Sequence, residues 1–205
     1  MRETNDVGDA RPRRRRDAVA TRAAILASAR GAFARAGYDG AGVREIAAGA
    51  GVTAMLVNRY FGSKERLFAE AIAATMAAPI ILTEENLRSS KLGETIAAAL
   101  VKITEAGDTP LEGFQIMLRS AASKRAAEIG REQIEAGHQK TMTGALEGNL
   151  ADERAALVLS IVAGFQVMRQ MIGLSALADA DTADLIKLLA PVFQQLVEDK
   201  QVTVP

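Results

Sequence analysis

The stretch Val43–Phe68, VREIAAGAGVTAMLVNRYFGSKERLF, decides how this chain is read. Val43 to about Ala48 reads as a short helix. The Gly49-Ala50-Gly51 segment breaks it, because glycine takes left-handed backbone angles that other residues avoid. Thr53 is a good N-cap, so a second helix is expected over Ala54–Phe61. Gly62 stops that helix, and Ser63 caps a third. Two helices joined by a Gly-containing turn of about 3–4 residues form a helix-turn-helix, whose second helix can enter the DNA major groove.

Upstream, a helix is expected from about Asp17 to Ala36, with Ile25, Leu26, Ala29 and Phe33 as its inward stripe. Gly37 follows as its C′ residue, with Tyr38 packing back. The candidate core of this first unit is Ile25, Leu26, Phe33, Val43, Ile46, Ala47, Val52, Leu56, Tyr60, Phe61 and Leu67. Met1–Arg16 is polar and lacks apolar periodicity, so it is expected to be disordered. Its run Arg11–Arg16, with Arg13, Arg14, Arg15 and Arg16 in sequence, can serve as a phosphate-tracking or minor-groove arm, or be a solvated tail.

Downstream the pattern changes near Ala77, and Pro79 ends or kinks the exit helix. Glu84–Gly93 reads as a polar connection. Helices follow over Glu94–Glu105, after the capping sequence Thr109-Pro110-Leu111-Glu112, and over about Lys124–Leu146, with a break near Gly137. Asp152 is read as the cap of a long apolar helix to about Leu174, and Thr182 as the cap of a last one to about Asp199. No stretch alternates as a strand does, so the chain is expected to be all-α. Three parts are predicted: an arm at 1–16, a DNA-binding domain at 17–77 and a larger helical domain at 78–205.

Composition bounds the alternatives. In 205 residues there is no cysteine, which excludes disulfides and thiolate metal sites. The longest apolar runs fall short of the ~18 residues that span a bilayer, and the arginine-rich start is no secretory signal, so a soluble cytoplasmic protein is expected. The overall charge is zero, yet residues 1–66 carry 13 Lys and Arg against 7 Asp and Glu, and the remainder 12 against 18. A basic front and an acidic back suit an N-terminal region that meets a polyanion. No phosphate loop, nucleophile–His–acid set or metal-ligand cluster is present, so neither an enzyme nor a cofactor is expected. His138, the single histidine, reads as a surface residue.

On the predicted recognition helix, Thr53 aims backbone N–H groups outward and can receive a phosphate. Ala54 and Met55 can touch base edges or thymine methyls, and Asn58 and Arg59 follow one turn later. Arg59 can pair with guanine or phosphate, and Arg44, on the supporting helix, with phosphate. Tyr60 is either structural or a phosphate contact through its hydroxyl.

The N-terminal pattern resembles the tetracycline-repressor (TetR) family of bacterial transcription regulators. Thr21-Arg22, Ile25-Leu26, Ala32-Phe33, Ala36-Gly37-Tyr38, Val43–Ala47, Ala50–Thr53, Tyr60–Glu65 and Leu67-Phe68 carry the resemblance, about a quarter of the chain. Two positions depart from it. Gly42 stands where the family often has a hydroxyl residue, and Asn58 where it often has an aromatic. The resemblance implies that Lys64 contacts phosphate, that the chain is a homodimer on a near-palindromic double-stranded operator, and that a small-molecule effector binds in the C-terminal domain.

Leu157, Ile161, Ile172, Leu185, Leu188, Leu189, Val192, Phe193 and Leu196 lie on the wide apolar faces of the last two long helices. They would form a four-helix dimer interface or, alternatively, an intramolecular core. Phe114, Met117, Leu118, Met142, Phe165 and Met168 are candidate liners of an effector pocket, whose ligand is expected to be largely apolar because few charges fall on these stripes. A second reading is a helical interaction or ligand-sequestering module that no longer reads DNA.

Overall fold

The computed structural model describes residues 10–105 and 111–198, with side chains from Asp17 onward. Among the described residues all regular structure is helical, as expected. The chain forms two compact units. Among the described residues, one holds residues 10–74 and 115–130, the other 75–105, 111–114 and 131–198. The segment 115–130, expected with the C-terminal region, thus belongs to the first unit.

The first unit opens with α1, Ala10–Gly40, broken at Gly37. Its backbone is already helical at Ala10, against the expectation of a disordered arm. Arginine is a good helix former, and Pro12 sits in the first turn, where its missing N–H has no intrahelical partner to lose. Gly37 has φ +68° and ψ −177°, a region essentially closed to other residues. The supporting helix α2 spans Val43–Gly49 and α3 spans Ala54–Phe61. Between them Gly51 takes φ +67° and turns the chain. Then α4 runs over Lys64–Met76, with Ser63 Oγ accepting from Arg66 N–H at 3.2 Å.

Ile25, Ala29 and Phe33 are buried along α1, with Ile46, Ala47, Phe61, Leu67 and Phe68. On α3 the fully buried residue is Val57, while Leu56 is only half-buried. Val57 and Phe61 share the inner face at i, i+4 spacing, which turns Leu56 aside. Leu26, Val43, Val52 and Tyr60 are half-buried too. Phe33, Tyr38 and Phe68 form an aromatic cluster. Phe68 meets both other rings edge-on, at centroid distances of 5.0 and 4.9 Å.

Two further helices reach this unit: the end of α7, Glu112–Ser120, and most of α8, Lys124–Ile134. Ile116, Ala126 and Ile129 are buried. Ser120 Oγ accepts from Tyr38 N–H at 2.9 Å, and Arg119 Nη1 donates to the Arg35 carbonyl at 2.7 Å. These contacts take up donors and acceptors left open where α1 breaks.

In the second unit, α5 spans Glu84–Leu87 inside the expected polar connection, and α6 spans Leu92–Ile103. The Thr109 cap lies outside the described residues. A π segment, Glu135–Gln139, follows α8, then α9, Lys140–Thr143. His138, expected at the surface, is half-buried in that segment, and burial holds its imidazole pKa below the usual value.

The apolar helix α10 spans Ala151–Gln166 and ends in a second π segment, Val167–Met171. Its N-cap is Leu150 at φ +53°, in place of Asp152, whose carboxylate accepts from Thr143 Oγ1 at 2.9 Å. After α11, Ser175–Ala178, comes α12, Thr182–Val197. Its cap is Asp181 in place of Thr182, with Oδ1 accepting from Ala183 N–H at 2.8 Å. The core lies where α6 and α12 cross, with Ile96, Leu100, Val101, Leu185 and Phe193 at its centre. There Gln194 Oε1 accepts from Gly93 N–H at 3.0 Å, satisfying a first-turn donor of α6.

Gly37→Ala should destabilise the protein by about 3 kcal/mol or more, because alanine resists this φ,ψ region and its β-carbon would overlap the Arg119 carbonyl oxygen. Urea denaturation measures the loss.

Candidate DNA-binding interface

The exposed surface of α3 is set by its length and its cap. Val57 and Phe61 face inward, which leaves Met55, Asn58 and Arg59 exposed, Met55 by 81%. An unpartnered methionine so far out of the core is a large apolar side chain offered to another surface. Thr53 Oγ1 accepts from Leu56 N–H at 3.3 Å and caps the helix. With that donor taken, the other first-turn N–H groups of α3 remain open at the positive end of the helix. Ala54 is half-buried.

Arg44 is exposed on α2, and neither it nor Arg59 makes an ion pair or side-chain hydrogen bond with the described residues. Gly42 caps α2 without any side-chain bond, as its lack of a side chain requires. Lys64 opens α4 half-buried, with its ammonium 4.7 Å from the centre of the Tyr38 ring. Burial first, then the Glu65 and Asp39 carboxylates, raise the Tyr38 phenol pKa, so the ring stays neutral beneath the cation. Tyr60 is half-buried.

By contrast, other cations of the unit are engaged with acids. Arg22 pairs with Glu70 and lies over the Phe61 ring at 4.7 Å, Arg35 pairs with Glu45 at 2.9 Å, and Arg125 with Glu65 at 3.1 Å. The arginine guanidinium holds the Glu65 carboxyl below its usual pKa. Arg13, Arg14, Arg15 and Arg16 lie on the helical backbone of α1, and their side chains fall outside those described.

Two family models match this chain. One, described as bacterial regulatory proteins of the tetR family, covers residues 25–71, the helices just described. The other, a tetracyclin repressor-like C-terminal domain, covers residues 90–197, more than half of the chain. The chain belongs to the TetR family.

It is therefore a DNA-binding transcriptional regulator and not an enzyme. Solved structures of transcriptional regulators agree in fold. A TetR-family regulator from Streptomyces coelicolor A3 is 25% identical, with a TM-score of 0.58 over 88% of this chain and 96% of that one. A transcriptional regulator from Rhodococcus sp. Rha1 is 24% identical, with a TM-score of 0.60 over 90% and 99%. A further TetR-family protein from Rhodococcus sp. is 17% identical, with a TM-score of 0.63 over 88% and 100%. No curated protein matches the chain. Among the described residues no helix is long and apolar enough to cross a membrane.

The expected interface and pocket residues of this TetR chain scatter more than the exposed residues of α3. Leu157, Ile172, Leu188 and Val192 are exposed large hydrophobics, Leu188 by 69%. Met171 and Leu174, missed from sequence, join them. Leu185 and Phe193 are buried in their own subunit, so they are core and not interface, and Ile161, Leu189 and Leu196 are half-buried against that core.

Of the expected pocket liners, Met142 and Phe165 are buried in the second unit and Phe114 is half-buried. Leu118 and Met168 are exposed. Met117 belongs to the first unit, against Gly130. A wide apolar face was expected on the helix from about Asp152 to Leu174, and its apolar residues divide between the core and the outer side. Ala155, Val158 and Phe165 face in while Leu157 and Met168 face out. The inner face also carries the buried Gln166 and Arg169, against the expectation that few charges fall there.

Thr53→Ala should cost about 1 kcal/mol of stability through loss of the α3 cap, read as a lower urea midpoint.

Proposed function

We propose that this TetR regulator is a repressor that binds a near-palindromic operator as a homodimer and is released by a small molecule bound in its C-terminal unit. The observation that carries the DNA reading is the exposed, unpaired set on the helix-turn-helix. Arg44 and Arg59 have no acidic partner among the described residues while neighbouring arginines do, and Met55 and Asn58 stand beside them. Leaving two cations without acids is costless in water, and gains a phosphate or guanine when DNA arrives.

In this reading Met55 and Ala54 meet base edges or thymine methyls, Asn58 offers its amide to adenine, and Arg59 pairs with guanine or phosphate. Thr53, Arg44, Lys64 and the hydroxyl of Tyr60 hold backbone phosphates, and Arg13–Arg16 extend the positive footprint. The dimer reading is supported by Leu157 on α10, Ile172 just past its π segment, and Leu188 and Val192 on α12, since large apolar side chains exposed there call for a partner surface. Such a dimer sets two recognition helices about one DNA turn apart, ~34–36 Å or slightly more. The effector shifts the equilibrium between conformers through its different affinity for each. The protein would act in the cytoplasm, where bacterial DNA lies.

Selection of bound duplexes from a random DNA library should enrich an inverted repeat. Weak, salt-sensitive binding without enrichment would instead favour an interaction module. Lys64→Ala should weaken binding to all sequences and reduce the salt slope by about 1. Leu188→Asp should shift the sedimenting species toward the 21.7 kDa protomer.

A further inference from the structure

Arg169 is a buried cation without an acid. It lies in the π segment Val167–Met171, is 8% exposed, and forms no ion pair with any described residue. Its Nη1 donates to the Val101 carbonyl at 3.0 Å and to Thr104 Oγ1 at 2.9 Å. Both acceptors sit at the C-terminal end of α6, whose free carbonyls offset part of a positive charge. Its Nε and Nη2 have no acceptor among the described residues. Those two nitrogens are the side-on fork of a guanidinium, the pair that matches the two oxygens of a carboxylate.

The neighbouring polar groups repeat the pattern. Gln166, one turn before and 5% exposed, makes no side-chain hydrogen bond with the described residues. Gln170 donates from Nε2 to the Ile103 carbonyl at 3.4 Å, while its Oε1 is buried without a partner. The Phe165 ring lies 5.8 Å from the Arg169 guanidinium carbon. A buried guanidinium without an acid and a buried amide oxygen without a donor, that of Gln170, are costly unless something binds them. One π turn in a helix is a common mark of a functional site, and here it shifts the register of these side chains within an otherwise apolar helix.

We propose that Arg169 anchors a site for a small organic carboxylate, gripped side-on through Nε and Nη2. Gln166 donates a further hydrogen bond to the carboxylate, and the apolar body of the ligand packs on Phe165. This deepens the reading of the second unit as an effector domain and names the effector as a monoacid with an apolar body. A purely apolar ligand would leave the guanidinium unmatched.

The test uses the full-length protein without DNA, so it stands apart from the operator selection, which needs no carboxylate. Thermal unfolding and calorimetric titration would be run with hexanoate, octanoate, decanoate, benzoate and phenylacetate, with the methyl ester of each, and with inorganic phosphate. At about 100 times its Kd, at least one acid should raise Tm by about 5–10 °C, and its ester should not. Arg169→Lys keeps the charge but loses the fork, and should weaken binding at least about tenfold. Arg169→Gln should abolish it, while the exposed Gln195→Ala should leave it unchanged. No shift with any acid, equal shifts for acid and ester, a response to phosphate alone, or undiminished binding by Arg169→Lys would each overturn the proposal. If Arg169→Gln fails to fold, the ester comparison and Arg169→Lys still decide it.

Discussion

Three aromatic rings, Phe33, Tyr38 and Phe68, meet in the N-terminal unit, and the helix-turn-helix depends on how they pack. Phe33 comes from α1, Tyr38 from just beyond its break, and Phe68 from α4. For Tyr38 to turn back onto Phe68, the backbone must reverse at Gly37, which takes a conformation that other residues avoid. Edge-to-face pairs add about 0.5–1.5 kcal/mol each beyond the area they bury, and they fix direction as well as contact. With α1 and α4 so joined, Val57 and Phe61 can seat α3 with its other side in water. Lys64, which opens α4, is held over the same Tyr38 ring.

The second unit is organised by a different constraint, the close crossing of α6 and α12. Gly93 permits it, since any β-carbon there would meet the Gln194 backbone. The Gln194 side chain then takes up the Gly93 N–H. Around this crossing the core is apolar, and Arg169 with its two glutamine neighbours interrupts it. Thr104 donates to the Leu100 carbonyl at 2.8 Å while accepting from Arg169, so the polar group is tied to the end of α6. Of the apolar side chains left outside, Leu157, Leu188 and Val192 lie on the same helices whose inner residues build the core, and Ile172 follows the π segment. An all-round apolar helix can serve both a core and an outer surface.

The helix-turn-helix was legible because its signals are local. Gly51 and Thr53 act within a few residues of themselves, and the structure has the turn and the cap where they predict. The caps of the two long C-terminal helices were not legible in the same way. Asp181 and not Thr182 caps α12, and Leu150 and not Asp152 precedes α10, because a tertiary partner can claim a side chain that a local rule assigns to a helix end. The exposed α3 residues could be named in advance for the same local reason, since an eight-residue helix has few ways to face its core.

Glycine position, apolar spacing and capping residues by themselves determined the all-helical class, the helix-turn-helix and the outward place of Met55, Asn58 and Arg59 on α3. Those features depend on neighbours in sequence and on periodicity. Only the tertiary structure decided that residues 115–130 complete the N-terminal unit, that Leu185 and Phe193 are core while Leu188 is outside, and that Arg169 is buried without an acid. An apolar residue carries the same hydrophobic signal whether it meets its own core or another surface. A charged residue, likewise, shows its burial only when the elements around it are packed, because the partners it has or lacks come from distant parts of the chain.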